Sequence, residues 1–200
     1  MRVRWLPPLA ALTAGACTIA PAPGGPAAAG GVDAALPPGY GTLRQEEVSL
    51  VLRSGDLQLM VTPLHASVTH VTAPDTQRRL SSLAATHPQD GADGAGLFLV
   101  SFYSDQPDVP FAPEEVQFIS RGLRVRPVSI SPVTPSWGER RLGQRQTEMA
   151  VYDFGDAVDL ESPLTLAYAF EQSTAWSTIL PRIQAERARA RARAGVDARD

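Results

Sequence analysis

The chain has 200 residues, 44% of them hydrophobic, with 18 basic and 21 acidic side chains and a formal net charge of −3. It contains neither Lys nor Asn and a single Cys, which excludes a P-loop, a lysine Schiff base and a Ser-Lys dyad, and equally a Cys-His-Asn triad, a Cys-based zinc site and an internal disulfide. Residues 39–180 hold 10 Arg against 17 acids, a net of −7, whereas residues 181–200 hold 6 Arg against 3 acids, a net of +3. An acidic body argues against nucleic acid as a partner, and a basic tail points to its own domain or to an anionic neighbour.

In chain order, Arg2 and Arg4 precede a mostly apolar stretch ending in Ala14-Gly15-Ala16, directly before the lone Cys17. A basic start, an apolar run and small residues form a secretory signal. Small residues abutting a single cysteine resemble the lipobox of bacterial lipoproteins, with Ala14 where that motif usually has Leu. The resemblance implies that Cys17 is lipidated and becomes the first residue of the mature chain. It also implies an outer-membrane destination if the cell is Gram-negative, because Thr18 rather than Asp follows. An ordinary signal cleaved near Ala16 is the alternative; a retained span is disfavoured because it needs about 20 apolar residues. Residues 18–38 are mostly Pro, Ala and Gly, a composition that cannot bury a core and reads as a linker.

The body reads as strands. Residues 46–53 alternate, with Val48, Leu50 and Leu52 on one face, and Ser54-Gly55-Asp56 turns them into Leu57, Leu59 and Val61. That is a hairpin in period 2. A further strand is expected over 66–72. Residues 75–86 predict a helix, with Asp75 as N-cap and Leu80, Leu83 and Ala84 on one face. Residues 87–96 (HPQDGADGAG) form a joining loop whose Asp90 and Asp93 do not match EF-hand spacing. Residues 97–103 (LFLVSFY) are almost continuously apolar, as in a strand buried on both faces. Strands over 116–119 and 123–130 flank the turn Ser120-Arg121-Gly122. Strands over 147–154 and 164–170 complete the set, the last with Leu164, Leu166, Tyr168 and Phe170 on one face. Residues 181–194 predict a helix opened by Pro181, with Arg187, Arg189, Arg191 and Arg193 about 200° apart in succession and so on two opposing sides. That segment reads as a solvated Ala-Arg helix, with a disordered tail and a docking element for phosphate or carboxylate groups as the alternatives.

The order of apolar strand, Phe111-Pro113 loop, Val116 to Ile119, Gly122 turn, Met149 to Phe154 and Leu164 to Tyr168 resembles the small immunoglobulin-like accessory domains found behind lipid-anchored linkers in bacterial surface proteins. The resemblance covers about 75 residues and implies a sandwich with an extracytoplasmic accessory role; it transfers no site residues. The expected fold is therefore an all-β, Ig-like β-sandwich of about eight strands with a short inserted helix and an Arg/Ala-rich C-terminal helix. Its expected division is signal peptide 1–16, lipid-anchored linker 17–38, sandwich 39–180 and basic helix or tail 181–200.

Motifs of known catalysts are absent: the chain has no G-x-S-x-G, H-E-x-x-H or G-x-G-x-x-G. His65 and His70, five apart in an expected strand, point to opposite faces and do not share a metal. No metal, cofactor or catalytic residue is expected. The expected role is a non-catalytic envelope module, bound to the membrane through Cys17, with an envelope protein or glycan as partner and no nucleic acid. Candidate interaction residues are Trp137 with Arg140 and Arg141 in a Pro-rich loop, where the indole reads first as a lid over the core edge and second as a partner contact, and Arg187, Arg189, Arg191 and Arg193 in the tail. Two alternatives stand beside it: an envelope hydrolase built from His87, Ser101 or Ser104, and Asp105, and a structural lipoprotein whose tail binds anionic glycan or lipid.

Overall fold

Alternation of apolar and polar residues builds the first hairpin, β1 (Leu50–Ser54) and β2 (Leu57–Pro63), in which Leu50, Leu52, Leu59 and Val61 turn inward. Its two-residue turn places Gly55 at φ +57°, the left-handed conformation that favours glycine at this position. The computed structural model describes residues 39–87 and 96–197. Among them are eleven strands in three antiparallel sheets and a long C-terminal helix. After the hairpin come α1 (Ala66–Thr69), α2 (Pro74–Ala85), β3 (Leu97–Ser104), β4 (Val109–Pro110), β5 (Gln117–Ser120), β6 (Leu123–Val125), β7 (Ser129–Pro132), β8 (Arg141–Leu142), β9 (Gln146–Asp153), β10 (Leu164–Tyr168), β11 (Glu171–Ser173) and α3 (Trp176–Asp197). The sheets run β1-β2-β3-β9-β7, β11-β10-β5-β6 and β4-β8.

The two larger sheets share one apolar core in a sandwich-like arrangement. Phe98 of β3 meets Phe118 of β5 with ring centroids 4.6 Å apart and Phe154 at 5.5 Å. Seven of the eight β3 residues are buried, in agreement with the apolar run that defined it. The reason is a second layer: Leu97, Leu99 and Val151 on the outer face of the five-stranded sheet pack with Leu80 of α2. That helix starts at Pro74 with Ala73 as N-cap, so Asp75 lies in the first turn and not at the cap, where its charge still complements the helix dipole.

Several expectations are corrected. Residues 45–48 form a 3-10 turn, so the first strand begins only at Leu50. The strand expected over 66–72 is the short helix α1, because the His65 ring nitrogen accepts from the Ser67 amide and caps it. That local bond overrides the β-branched composition. His65 and His70 are consequently the two caps of one helical turn. The strand expected over 123–130 divides at Arg126-Pro127-Val128 into β6 and β7, which belong to different sheets. Pro127 cannot donate to a ladder, which suits a chain leaving one sheet for the other. The strand expected to end at Phe170 ends at Tyr168, and Phe170 is fully exposed.

The terminal helix also differs. It starts at Trp176 and contains Pro181 in its second turn, continuous across the boundary expected at residue 181. Trp176, Ile179, Ile183, Glu186 and Ala190 are buried, a spacing of 3, 4, 3 and 4 that puts all five on one helical face. The Trp176 indole N–H donates to the Leu160 carbonyl at 3.1 Å. The helix thus belongs to the core along one face, contrary to a wholly solvated tail.

Candidate functional site

The expected interaction loop is held from inside. Trp137 lies in a 3-10 turn (Pro135–Glu139), is 7% exposed, and packs its ring against Phe111 at 5.2 Å and Phe102 at 5.8 Å. The buried Glu148 carboxylate on β9 accepts from the hydroxyls of Thr134 and Ser136, at the start of the turn, and from Gln146 at 2.6 Å. Trp137 is therefore a core residue. Arg140 and Arg141 are exposed but paired: Arg140 grips Glu114 at 2.6 and 3.1 Å, and Arg141 pairs with Asp108 and its carbonyl. The Arg141 bond lowers the Asp108 pKa. Backbone hydrogen bonding, then Arg140, lowers that of Glu114.

The tail arginines divide in the same way. Arg187 donates to the Ser67 carbonyl at 2.9 Å and to Glu161 at 2.7 Å. Arg193 donates to the Tyr40 carbonyl at 2.7 Å and to Glu186 at 2.9 Å, and Arg189 reaches Glu186 at 3.4 Å. Glu186, 1% exposed, also accepts from the Thr42 amide and hydroxyl, both at 3.1 Å. Burial pushes its pKa up, but Arg193, Thr42 and Arg189 outweigh burial and hold the carboxyl below its ordinary value. Only Arg191 of the four is exposed without an ion pair among the described residues.

The residues drawn for a hydrolase make no hydrogen bond to one another among the described residues. The His87 ring contacts the Leu83 carbonyl, Ser104 accepts from the Gln106 amide, and Asp105 takes the Tyr103 hydroxyl. Asp90 and Asp93 lie outside the described residues, as do Cys17 and the expected signal and linker. Among the described residues no group of three His, Cys, Asp or Glu could hold a metal, and no helix is long and apolar enough to cross a membrane.

A site that sequence reasoning missed lies on the outer face of the four-stranded sheet. Register places Gln117 beside Ala167 and Ile119 beside both Thr165 and Arg124. There Ala167 and Ala169 floor a hollow of about 300 Å³ walled by Arg124, Arg126, Gln117, Glu115 and Phe170. Arg124 donates to the Gln117 side chain at 3.3 Å, and Arg126 carries no ion pair among the described residues. Phe170 sits in the two-residue turn between β10 and β11, after Ala169 at φ +49°. A left-handed non-glycine residue costs roughly 1–2 kcal/mol, and a phenyl ring left in water forgoes burial worth about 1.5–3 kcal/mol. Two local choices against stability stand side by side, the pattern expected where a surface serves something other than folding.

The sheet's far end is fixed by Asp159. The Ser162 hydroxyl, Arg121 at 2.6 Å and the Glu161 amide converge on its carboxylate and lower its pKa to about 2. Arg121 and Gly122, at φ +50° and +78°, form the β5–β6 turn it holds. Part of the signal was present: Arg124 and Arg126 are two apart within the strand expected over 123–130, which puts them on one face of that strand. No family model matches the chain, and no curated protein or solved structure is significantly similar to it.

Proposed function

We propose that this protein is a non-catalytic module of the bacterial envelope, exported and lipid-anchored through Cys17, which binds another envelope component through the outer face of its β11-β10-β5-β6 sheet. The observation that carries the reading is Phe170, fully exposed at a left-handed turn beside the Arg124–Arg126 pair. An exposed aromatic next to arginine is the composition of binding hot spots. The component it suits presents a carboxylate beside an apolar group, whether on a glycan or on a protein. The anchor rests on the Ala14-Gly15-Ala16-Cys17 junction and the linker behind it.

The immunoglobulin-like class is the finer proposal for the fold, and strand order limits it. Here β1, β2 and β3 run as a meander in one sheet, whereas the immunoglobulin order places its second and third strands in opposite sheets. The broader class, an antiparallel sandwich of accessory type, is what the binding proposal needs.

Two experiments test the reading. Cys17→Ser is expected to release the protein from the membrane fraction or leave it as a larger precursor; unchanged fractionation and mobility would remove the anchor. Photo-crosslinking from position 170 in whole cells, together with co-sedimentation on purified peptidoglycan, is expected to give a saturable signal. Arg126→Gln should cut that signal about tenfold, as loss of a hot-spot contact does. Absence of both signals, or indifference to the substitution, would refute the binding face.

A further inference from the structure

A second concavity, of about 280 Å³, lies away from the sheet face, between α3, the end of α1 and the segment that opens the described domain. One face of α3 supplies Arg187, Ala190, Arg191 and Ala194, spaced as i, i+3, i+4 and i+7. His70 and Val71 form the opposite wall and Gly39 the rim. The walls are fixed: the Gly41 amide donates to the His70 carbonyl and the Leu43 amide to that of Val71, both at 3.1 Å. A Cβ at Gly41 would meet the Val71 carbonyl oxygen at 1.9 Å, so only glycine permits this approach.

The cleft is lined by two arginines and a histidine and by no acid. Arg187 lines the cleft with its side chain 18% exposed and is oriented there by Ser67 and Glu161. Arg191 and His70 are exposed and carry no ion pair among the described residues. Two guanidinium groups, an imidazole and small residues that leave room between them suit an anion with three acceptor oxygens and up to two charges.

We infer that this cleft binds a phosphate group, with Arg191 as its exposed charged donor, Arg187 adding positive charge from the same helix face and His70 completing the site from the opposite wall. The phosphate has two possible sources, a water-soluble phosphate ester or a phospholipid headgroup. The lipid source alone draws on the proposed anchor, since the linker to Cys17 joins the domain at this rim; the site itself does not depend on it, nor on the sheet-face reading.

The test uses the full chain carrying Cys17→Ser, so that no acyl chain contributes. Calorimetric titration with glycerol 3-phosphate is one arm, and flotation with vesicles containing phosphatidylglycerol is the other. Saturable binding is expected in at least one arm, weakened about tenfold by Arg191→Gln, as loss of one charge-assisted contact implies. Arg182→Gln, which removes the same charge from the same helix outside the cleft, should leave binding within about twofold. Binding in the first arm assigns a soluble ester; binding in the second alone assigns a headgroup. No binding in either arm, or equal loss in Arg182→Gln and Arg191→Gln, overturns the site in favour of none or of diffuse attraction to a basic helix.

Discussion

The two large sheets turn different faces to the outside. The five-stranded sheet is roofed by α2, whose Leu80 joins Leu97, Leu99 and Val151 in a second small core. The outer face of the four-stranded sheet has no such roof among the described residues, and carries Arg124, Arg126 and the projecting Phe170. A strand such as β3 needs apolar side chains on both faces, and its sequence says so. The other sheet places small or polar residues such as Gln117, Arg124 and Ala167 on its outer face, which leaves a hollow there available for recognition. The comparison separates residues that hold the fold from residues that the fold holds out.

Breaking the covered face gives the largest effect. Leu80→Ala removes a fully buried side chain and is expected to cost about 2–5 kcal/mol in urea unfolding. A loss under 1 kcal/mol would mean that α2 is not an integral layer. Truncation after Leu180 comes next. It deletes the buried Ile183 and the Glu186 contacts to Thr42, and about 2–3 kcal/mol of stability should go with them; less than 1 kcal/mol would restore the view of residues 181–200 as a detachable tail.

Acid tests the rim of the uncovered sheet. The Asp159 pKa is depressed from 3.8 to about 2 in the folded state. Its ionised form therefore adds stability above the unfolded pKa, and that contribution is lost as pH falls from about 4 towards 2. Asp159→Asn should flatten stability against pH within that window and change nothing in its shape near pH 7; an unchanged acid limb would show that other carboxylates set it. The smallest effects belong to the turn. Ala169→Gly should raise stability by about 0.5–1 kcal/mol by relieving the left-handed residue. Phe170→Ala should leave it within about 0.5 kcal/mol, because the ring is fully exposed. A destabilised Phe170→Ala would mean that the ring packs after all and would weaken the contrast between the faces.

Legibility followed the same division. Continuous apolar character gave β3, and period 2 with Gly55 gave the first hairpin, because local pattern and tertiary fate agree there. Residues 66–69 have the β-branched look of a strand, and only the His65 cap makes them a helix. Alternation placed Phe170 inward by extending β10 two residues past the point where Ala169 turns the chain. The buried stripe of α3 was written at 3-4-3-4 spacing from Trp176 to Ala190, but Pro181 suggested a start and Glu186 hid the apolar face. In sequence the Trp137 indole reads as a lid over the core edge or as a partner contact, because the hydroxyls of Thr134 and Ser136 and the Gln146 amide that hold Glu148 are separated along the chain and meet only in the fold.

The Glu186 contacts have a mechanical consequence. The first described segment and the last helix are clasped together, Thr42 by Glu186 and the Tyr40 carbonyl by Arg193. A pull on the residues ahead of Gly39 does not peel the domain open from its first strand. It meets the α3 bonds and the bridge from Leu43 to Thr72 before it reaches β1, so several hydrogen bonds share the load ahead of the first strand.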